Sequence, residues 1–365
     1  MKILHILYSG LGGHGNVFFS IIRADKEKTF QYEALFNGIE EVKHEYIDSC
    51  KGFGIPWNFV SKRPGFDPGY YFKLLKYIRK SDAEIVFIHS SSYIMPALLG
   101  SVFSKKRKRI IVRETQANHL KAKMEWFWLG VAMLTANRIV FLTDEYRLET
   151  AKKLKRFYRP KKISVIPNGL DLELFQPIKK TIPVTIVIGM QSRLVQIKDH
   201  SSLLDAFSLL LKIYRDSGIS LLLRIAGDGD NKSALEAKAA SLHLGKSVEF
   251  TGMLNEKELL DFLWSLDIYV HASLGETMSN AIMQAMSCGI PVVASDVPGI
   301  NNMIQHNITG LLVPPHEPGL LALVLNELMG NKEEQERLGK AALYYAKEKF
   351  SNFTMFEQYK KVFTG

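Results

Sequence analysis

Cysteine is scarce, with only Cys50 and Cys288 in 365 residues. Two thiols make no disulfide framework and suit a reducing compartment, the cytoplasm. Long apolar runs are missing too. A spanning helix takes about 20 apolar residues, and the uncharged stretch "WFWLGVAMLTAN", 126–137, falls short of that. The opening "MKILHILYSG" has too short an apolar run for a secretory leader. It leads into glycines rather than a small-residue cleavage site and reads as a buried first strand. No low-complexity tract and no solenoid period occurs.

Negative charge is short in the first half. Residues 1–176 hold 29 Lys and Arg against 17 Asp and Glu, a net +12, while the remainder holds 18 against 20, a net −2. Much of the excess lies between 101 and 162, in "SKKRKRIIVRE", "KAKMEWFW" and "AKKLKRFYRPKK". Such a patch suits a solvated basic face, an anionic membrane surface or a nucleic acid. The neighbouring aromatics favour the membrane. No nucleic-acid-binding module is recognisable, so no nucleic-acid partner is expected.

What is present is an alternation of strands and helices, in a length that suits two domains. "KILHILYS", "QYEALF", "EIVFIHSSS", "RIIVRETQ", "RIVFLTD" and "KISVIPNG" read as strands, with helical spacing in "VFFSIIRAD" and "YYFKLLKYIRKS". After the Pro-punctuated "PNGLDLELFQPIKKTIP" a second series begins with "VTIVIGM". In that series "DHSSLLDAFSLLLKIY" is a helix with an Asp N-cap, and "NEKELLDFLWSL" is capped by Asn255 with Glu258 three residues on. This pattern predicts α/β architecture: two doubly wound, Rossmann-like domains, 1–176 and 177–344. Ligands of such sheets bind at the carboxyl ends of the strands, here in a cleft between the halves.

Four stretches could carry chemistry. "GMQSRLVQIKDH" puts Arg193 and Lys198 between a strand end and a helix start, where they could clamp a diphosphate or simply be surface cations. "IAGDGD" offers Asp228 and Asp230 as an Asp-x-Asp metal pair, or Gly227 and Gly229 as a tight strand-to-helix turn. The turn is the favoured reading. "GLGGHGN" brings backbone at Gly12 and Gly13 close to a phosphate or sugar, or is a plain turn. In "HASLGETMSNAIMQAMSCGIPVVASDVPG", Ser279 or Asn280 caps a helix and Glu276 stands at its mouth, suited to accept from sugar hydroxyls. Gln284 either faces the same cleft or is an interior amide satisfied by backbone.

This last stretch resembles the signature of the GT-B glycosyltransferases of family 4 (glycosyl transferases group 1), retaining enzymes that use nucleotide-sugar donors. The usual form is Glu, seven residues, Glu-Ala-Met, then Cys/Ala-Gly-x-Pro-Val-Val. Here Glu276 is followed after seven residues by Gln284-Ala285-Met286, then Ser287-Cys288-Gly289-Ile290-Pro291-Val292-Val293. "VIPNGLDLELFQP", "SRLVQIKD", "IAGDGD", "VEFTGML" and "GLLVPPHEPGLLA" follow the family's order.

The resemblance implies that Arg193 and Lys198 bind the donor diphosphate, with no metal and no other cofactor. It gives Glu276 the transferred sugar, Gln284 the ribose, and Gly12 and Gly13 the donor phosphates. His89 would face the donor sugar across the cleft. Gly227, Gly252, Met253, Leu254, Thr277, Met278, Ser279 and Asn280 complete the donor set. The acceptor would dock on the N-terminal domain, near Arg113, Glu114 and His119, and a C-terminal helix at about 345–365 would pack back on that domain.

The expected activity is transfer of a hexose or N-acetylhexosamine, from a UDP-sugar, to a lipid-linked glycan of a bacterial surface polysaccharide such as O-antigen, lipopolysaccharide, capsule or exopolysaccharide. The protein would sit peripherally on the cytoplasmic face of the inner membrane. Gln284 departs from the usual glutamate and motivates a second expectation, a catalytically weak donor-binding accessory subunit.

Overall fold

A computed structural model describes residues 1–10, 13–178 and 185–365. Gly12 lies outside them. The chain divides into two compact units, Met1–Asp171 with Asn352–Gly365, and Leu172–Ser351.

Among the described residues, the first unit holds seven strands: β1 (Lys2–Tyr8), β2 (Gln31–Gly38), β3 (Trp57–Ser61), β4 (Ile85–Ile88), β5 (Arg109–Glu114), β6 (Arg138–Phe141) and β7 (Ile163–Val165). They form one sheet in the order β3-β2-β1-β4-β5-β6-β7, and each pairing is parallel. Its strands are apolar almost without interruption because helices cover both faces. Side chains alternate along β1: Ile3 and Leu7 join the core on one face, Leu4 and Ile6 the core on the other. His5 takes an inward slot in that alternation and is fully buried.

The expected C-terminal helix is two helices, Lys332–Lys349 and Asn352–Thr364, and only the second belongs to the first unit. Met355, Phe356, Tyr359 and Phe363 fill the core beside Ile3 and Phe87. Arg109 donates to the carbonyls of Phe363 (2.6 Å) and Val362 (3.1 Å) at the end of that helix, which suits the dipole of a helix C-terminus.

The second unit holds β8 (Thr185–Gln191), β9 (Ser220–Ala226), β10 (Val248–Gly252), β11 (Ile268–His271), β12 (Val292–Ser295) and β13 (Leu311–Val313). Their order is β10-β9-β8-β11-β12-β13, again parallel. The expected caps are present. Asp199 accepts from Ser202 N (3.3 Å) at the head of helix His200–Ile213. Asn255 and Glu258 form a reciprocal capping box on helix Glu256–Ser265. The strand order reverses between β8 and β11, so the chain leaves these neighbours in opposite directions. A crevice opens at their carboxyl ends, the place where open α/β sheets take ligands.

Candidate functional site

Three loops of the second unit meet at that crevice. The loop after β8 carries Arg193 and Lys198, the loop after β11 carries Glu276, and the loop after β12 carries Gly299. They are tied together by Leu274 N to Ile197 O (2.8 Å), Ser273 N to Ser295 Oγ (3.0 Å) and Glu276 N to Pro298 O (3.4 Å). Gly299, at φ +87°, is required by this fit: a Cβ there would stand 2.1 Å from Glu276 O.

The Gly-x-Gly turn serves the same purpose. Gly227 has φ +130°, and a Cβ on it would stand 1.9 Å from Ser192 O. At Gly229 the distance would be 2.5 Å, to Leu194 O. Asp228 O accepts from Leu194 N (2.9 Å), and Leu194 O accepts from Asn231 N (2.9 Å). These glycines let two backbones touch, and the touch fixes the loop that presents Arg193. Asp228 and Asp230 are exposed, and Asp228 Oδ1 accepts from Gly229 N (2.9 Å). Among the described residues no group of three or more His, Cys, Asp and Glu is placed to hold a metal.

At the centre, the Lys198 ammonium contacts Glu276 Oε1. His271, fully buried at the end of β11, lies 2.9 Å from the same oxygen through Nε2 and 3.5 Å from Lys198 Nζ. A carboxylate oxygen only accepts, so His271 Nε2 carries the ring proton and donates to Glu276 Oε1, and Nδ1 is the lone pair, facing the Tyr269 hydroxyl (3.1 Å), which also lies 3.1 Å from the Gln191 carbonyl. The Lys198 ammonium is the second donor on Oε1. Burial, then the nearby charges of Lys198 and His200, hold His271 neutral with a pKa well below its ordinary value. Burial, then the charge of Arg193, pushes Lys198 down to about 7, while the Glu276 carboxylate works to keep its proton on.

Arg193 is exposed beside this group, and helix Asn280–Ser287 starts at the same mouth, capped by Ser279 Oγ accepting from Ile282 N (3.4 Å). Two cations and a helix N-terminus make an anion site; a carboxylate beside them makes a hydroxyl site. Thr277, Met278 and Asn280 are half-buried along that loop, and Ser279 is buried. Gly252, at φ +75°, accepts from Gly227 N (2.8 Å), with Met253 exposed and Leu254 half-buried after it. Gln284 is buried, and its Oε1 has no hydrogen-bond partner among the described residues, so the backbone does not satisfy that oxygen.

The first unit treats its expected residues differently. Gly13 opens helix Gly13–Ala24, is exposed, and a Cβ would meet nothing among the described residues. His89 is fully buried, and both of its ring nitrogens are engaged: Nε2 with His5 Nδ1 (3.3 Å) and Nδ1 with Arg113 Nη1 (3.3 Å). Arg113 and Glu114 are not a surface for an acceptor. They are the last residues of β5, where both side chains turn inward: Arg113 donates to Asn168 Oδ1, and Glu114 pairs with Lys121 (3.5 Å). Of that trio only His119 is exposed. The basic stretch likewise loses Lys108 and Lys121 to the interior, where Lys108 Nζ donates to Ser81 O (2.5 Å) and Ala83 O (2.9 Å).

Sequence reasoning passed over His271, Tyr269 and His14. Two positions apart on one strand, Tyr269 and His271 share a face, and His271 directly precedes the loop of Glu276; that spacing was the available signal. His14, half-buried beside the glycine loop, donates or accepts through Nε2 at Thr115 Oγ1 (2.9 Å).

The model of the glycosyl transferases group 1 matches residues 176–343, and that of glycosyltransferase family 4 matches residues 11–174. An uncharacterized glycosyltransferase of Methanocaldococcus jannaschii is 23% identical over 354 residues, covering 91% of this chain and 86% of the relative. The Escherichia coli UDP-Gal:α-D-GlcNAc-diphosphoundecaprenol α-1,3-galactosyltransferase is 28% identical over 291 residues, 74% of this chain and 72% of that protein. The crystal structure of Anabaena HepE in complex with UDP-glucose superposes with a TM-score of 0.81 at 19% identity, covering 100% of this chain and 99% of that one. Two parallel Rossmann-like sheets of seven and six strands, together with these matches, show that the chain belongs to the family 4 glycosyltransferases, which have the GT-B fold and use nucleotide-sugars.

Proposed function

We propose that this protein is a retaining transferase of a hexose or N-acetylhexosamine, from a UDP-sugar, to a lipid-linked glycan acceptor in surface polysaccharide synthesis. The observation that carries it is the Lys198–Glu276–His271 group beside Arg193 at the switch point of the second sheet. The E. coli relative's donor and its diphosphoundecaprenol-linked acceptor support the choice of UDP and of lipid.

In this reading Arg193, Lys198 and the head of helix Asn280–Ser287 hold the donor diphosphate, and Glu276 accepts from hydroxyls of the transferred sugar. The bond from the anomeric carbon to the phosphate oxygen breaks, and its electron pair leaves with the nucleotide. The acceptor hydroxyl oxygen bonds to the same face of that carbon, and its proton passes to the departing phosphate. The two cations and the helix N-terminus carry the developing charge, so no divalent ion is required.

Placement on the cytoplasmic face of an anionic membrane rests on the first unit. There Lys105, Lys106 and Arg107 follow exposed Val102 and Phe103, and helix Lys123–Thr135 exposes Met124 and Phe127. Among the described residues, no helix is long and apolar enough to cross a membrane. Gln284 supports the rival reading of a weak donor-binding subunit.

A thermal-shift panel of UDP-, GDP- and ADP-sugars tests the donor, since a ligand at 100 times its Kd adds about 2.7 kcal/mol. Anomeric analysis of the product tests retention, and an inverted linkage rules it out. Nucleotide release with acceptor glycosylation well above background eliminates the accessory subunit.

A further inference from the structure

With Arg113 and Glu114 buried, the first unit's sheet offers a different place for a sugar. Along β1 and β2 the residues facing helices Pro68–Lys80 and Ile94–Val102 are Leu4, Ile6 and Leu35. The same alternation ends at Tyr8 and Asn37, which are register partners at the carboxyl edge. Core packing stops there, and Tyr8 is 40% exposed. Its ring lies between two glycines. A Cβ on Gly10 would stand 2.5 Å from the ring, and one on Gly38 3.1 Å from it.

The heads of the two helices bring more aromatics to this edge. Asn37 Oδ1 accepts from the hydroxyls of Tyr70 (2.6 Å) and Tyr93 (2.9 Å), while Asn37 Nδ2 donates to Leu7 O (2.8 Å). Both phenol protons are spent inward, so the half-buried Tyr93 presents an oxygen that accepts. Tyr71 packs edge-on against Tyr70 (5.1 Å), and Phe66, 85% exposed, lies 6.2 Å from Tyr71. Burial first, with Tyr71 and Tyr8 adding to it, pushes the Tyr93 hydroxyl up, as expected where phenols crowd together.

We propose that this edge, built from Tyr8, Asn37, Phe66, Tyr70, Tyr71 and Tyr93, is a carbohydrate subsite that holds a neutral sugar ring of the acceptor glycan. Exposed ring faces take the apolar C–H face of a pyranose, and the phenol oxygens of Tyr8 and Tyr93 take its hydroxyls, while Asn37 and Tyr70, both buried, hold the others in place. Apart from the Asp67 carboxylate, which caps helix Pro68–Lys80 by accepting from Tyr70 N (3.0 Å) and Arg63 N (2.9 Å), the groups gathered are uncharged, which separates this edge from the basic stretch at 101–162 and matches a sugar better than a lipid phosphate. Asn37 is fixed by three hydrogen bonds before any ligand arrives, so the subsite is pre-formed. The assignment to an acceptor rests on the transferase reading above; the sugar binding itself does not.

The test is saturation-transfer NMR on the full chain with the methyl α-glycosides of glucose, galactose and N-acetylglucosamine. At least one should receive saturation at its ring C–H protons. Tyr8→Ala and Phe66→Ala should weaken that binding about tenfold, Tyr8→Phe should restore it, and the thermal shift produced by UDP should be unchanged in all three. Phe66 is a surface side chain, so its variant folds even if Tyr8→Ala does not. Saturation that is equal in wild type and Phe66→Ala, or absent with every glycoside, overturns the subsite. So does loss of phosphatidylglycerol-vesicle binding in Phe66→Ala with glycoside binding intact. Failure of the transferase reading looks different: no nucleotide-sugar is bound or turned over, while glycoside binding still depends on Tyr8 and Phe66.

Discussion

Gln284 offers a prediction with opposite signs for stability and binding. Its Oε1 is buried and has no partner among the described residues. A buried orphan acceptor costs the free protein about 1–3 kcal/mol. Methionine fills nearly the same volume without that oxygen. Gln284→Met should therefore raise the stability of the free protein, by about 2–12 °C in Tm for a unit of this size. A ribose hydroxyl that donated to Oε1 would be lost, at about 0.5–1.5 kcal/mol for a neutral bond. The Kd for UDP should rise about three- to tenfold. Thermal denaturation and titration calorimetry with UDP read the two effects separately. A lower Tm with an unchanged Kd would refute the reasoning, because it would mean that Oε1 serves the fold and not a ligand.

Other consequences follow from the same geometry. Lys198 titrates near 7 in the free protein, and an anionic diphosphate raises it, so UDP affinity should fall as pH rises above 7. Calorimetry at pH 8 in buffers of different ionisation enthalpy should show proton uptake, and no pH dependence between 6 and 8.5 would mean that Glu276 keeps Lys198 charged throughout. His5, His89, His200 and His271 are buried and their pKa values are depressed, to about 3 for His5 and about 4 for His200. Stability from these bases is complete above their ordinary value of 6.5 and is lost as pH falls below it. The loss is about 1.4 kcal/mol per pH unit for each, so both units should melt at progressively lower temperature as pH falls from about 6.5 to about 5; a Tm that stays constant over that range contradicts this. Gly227→Ala puts a Cβ 1.9 Å from Ser192 O and should displace the Arg193 loop, weakening UDP binding at least about tenfold. Unchanged binding would show that the turn is not what positions Arg193.

The chemistry of the second unit was legible because its residues advertise themselves. Arg193 and Lys198 after a strand, and Glu276 ahead of a capped helix, are charged side chains at loop positions, where burial without a partner is costly. Tyr269 and His271 were silent because they sit inside an apolar strand, and only the register with β8 shows what they support. Arg113 and Glu114 misled for the converse reason. Charge at a strand end reads as surface, but both turn inward, and the compensating Lys121 and Asn168 come from later in the chain. The closing helix was read as one because "YYAKEKFSNFTMFEQYKKVF" stays amphipathic through the break at Phe350–Ser351. Nothing local to that stretch says that Tyr359 and Phe363 belong to the core of the first unit.

The most direct test of the donor site is turnover by Glu276→Gln. With the sugar nucleotide that gives the largest thermal shift, release of nucleotide should be at least about 100-fold slower than in wild type, while the Kd for UDP stays within about threefold. Wild-type turnover by Glu276→Gln would contradict the account, as would a wild-type protein that releases no nucleotide from any UDP-, GDP- or ADP-sugar.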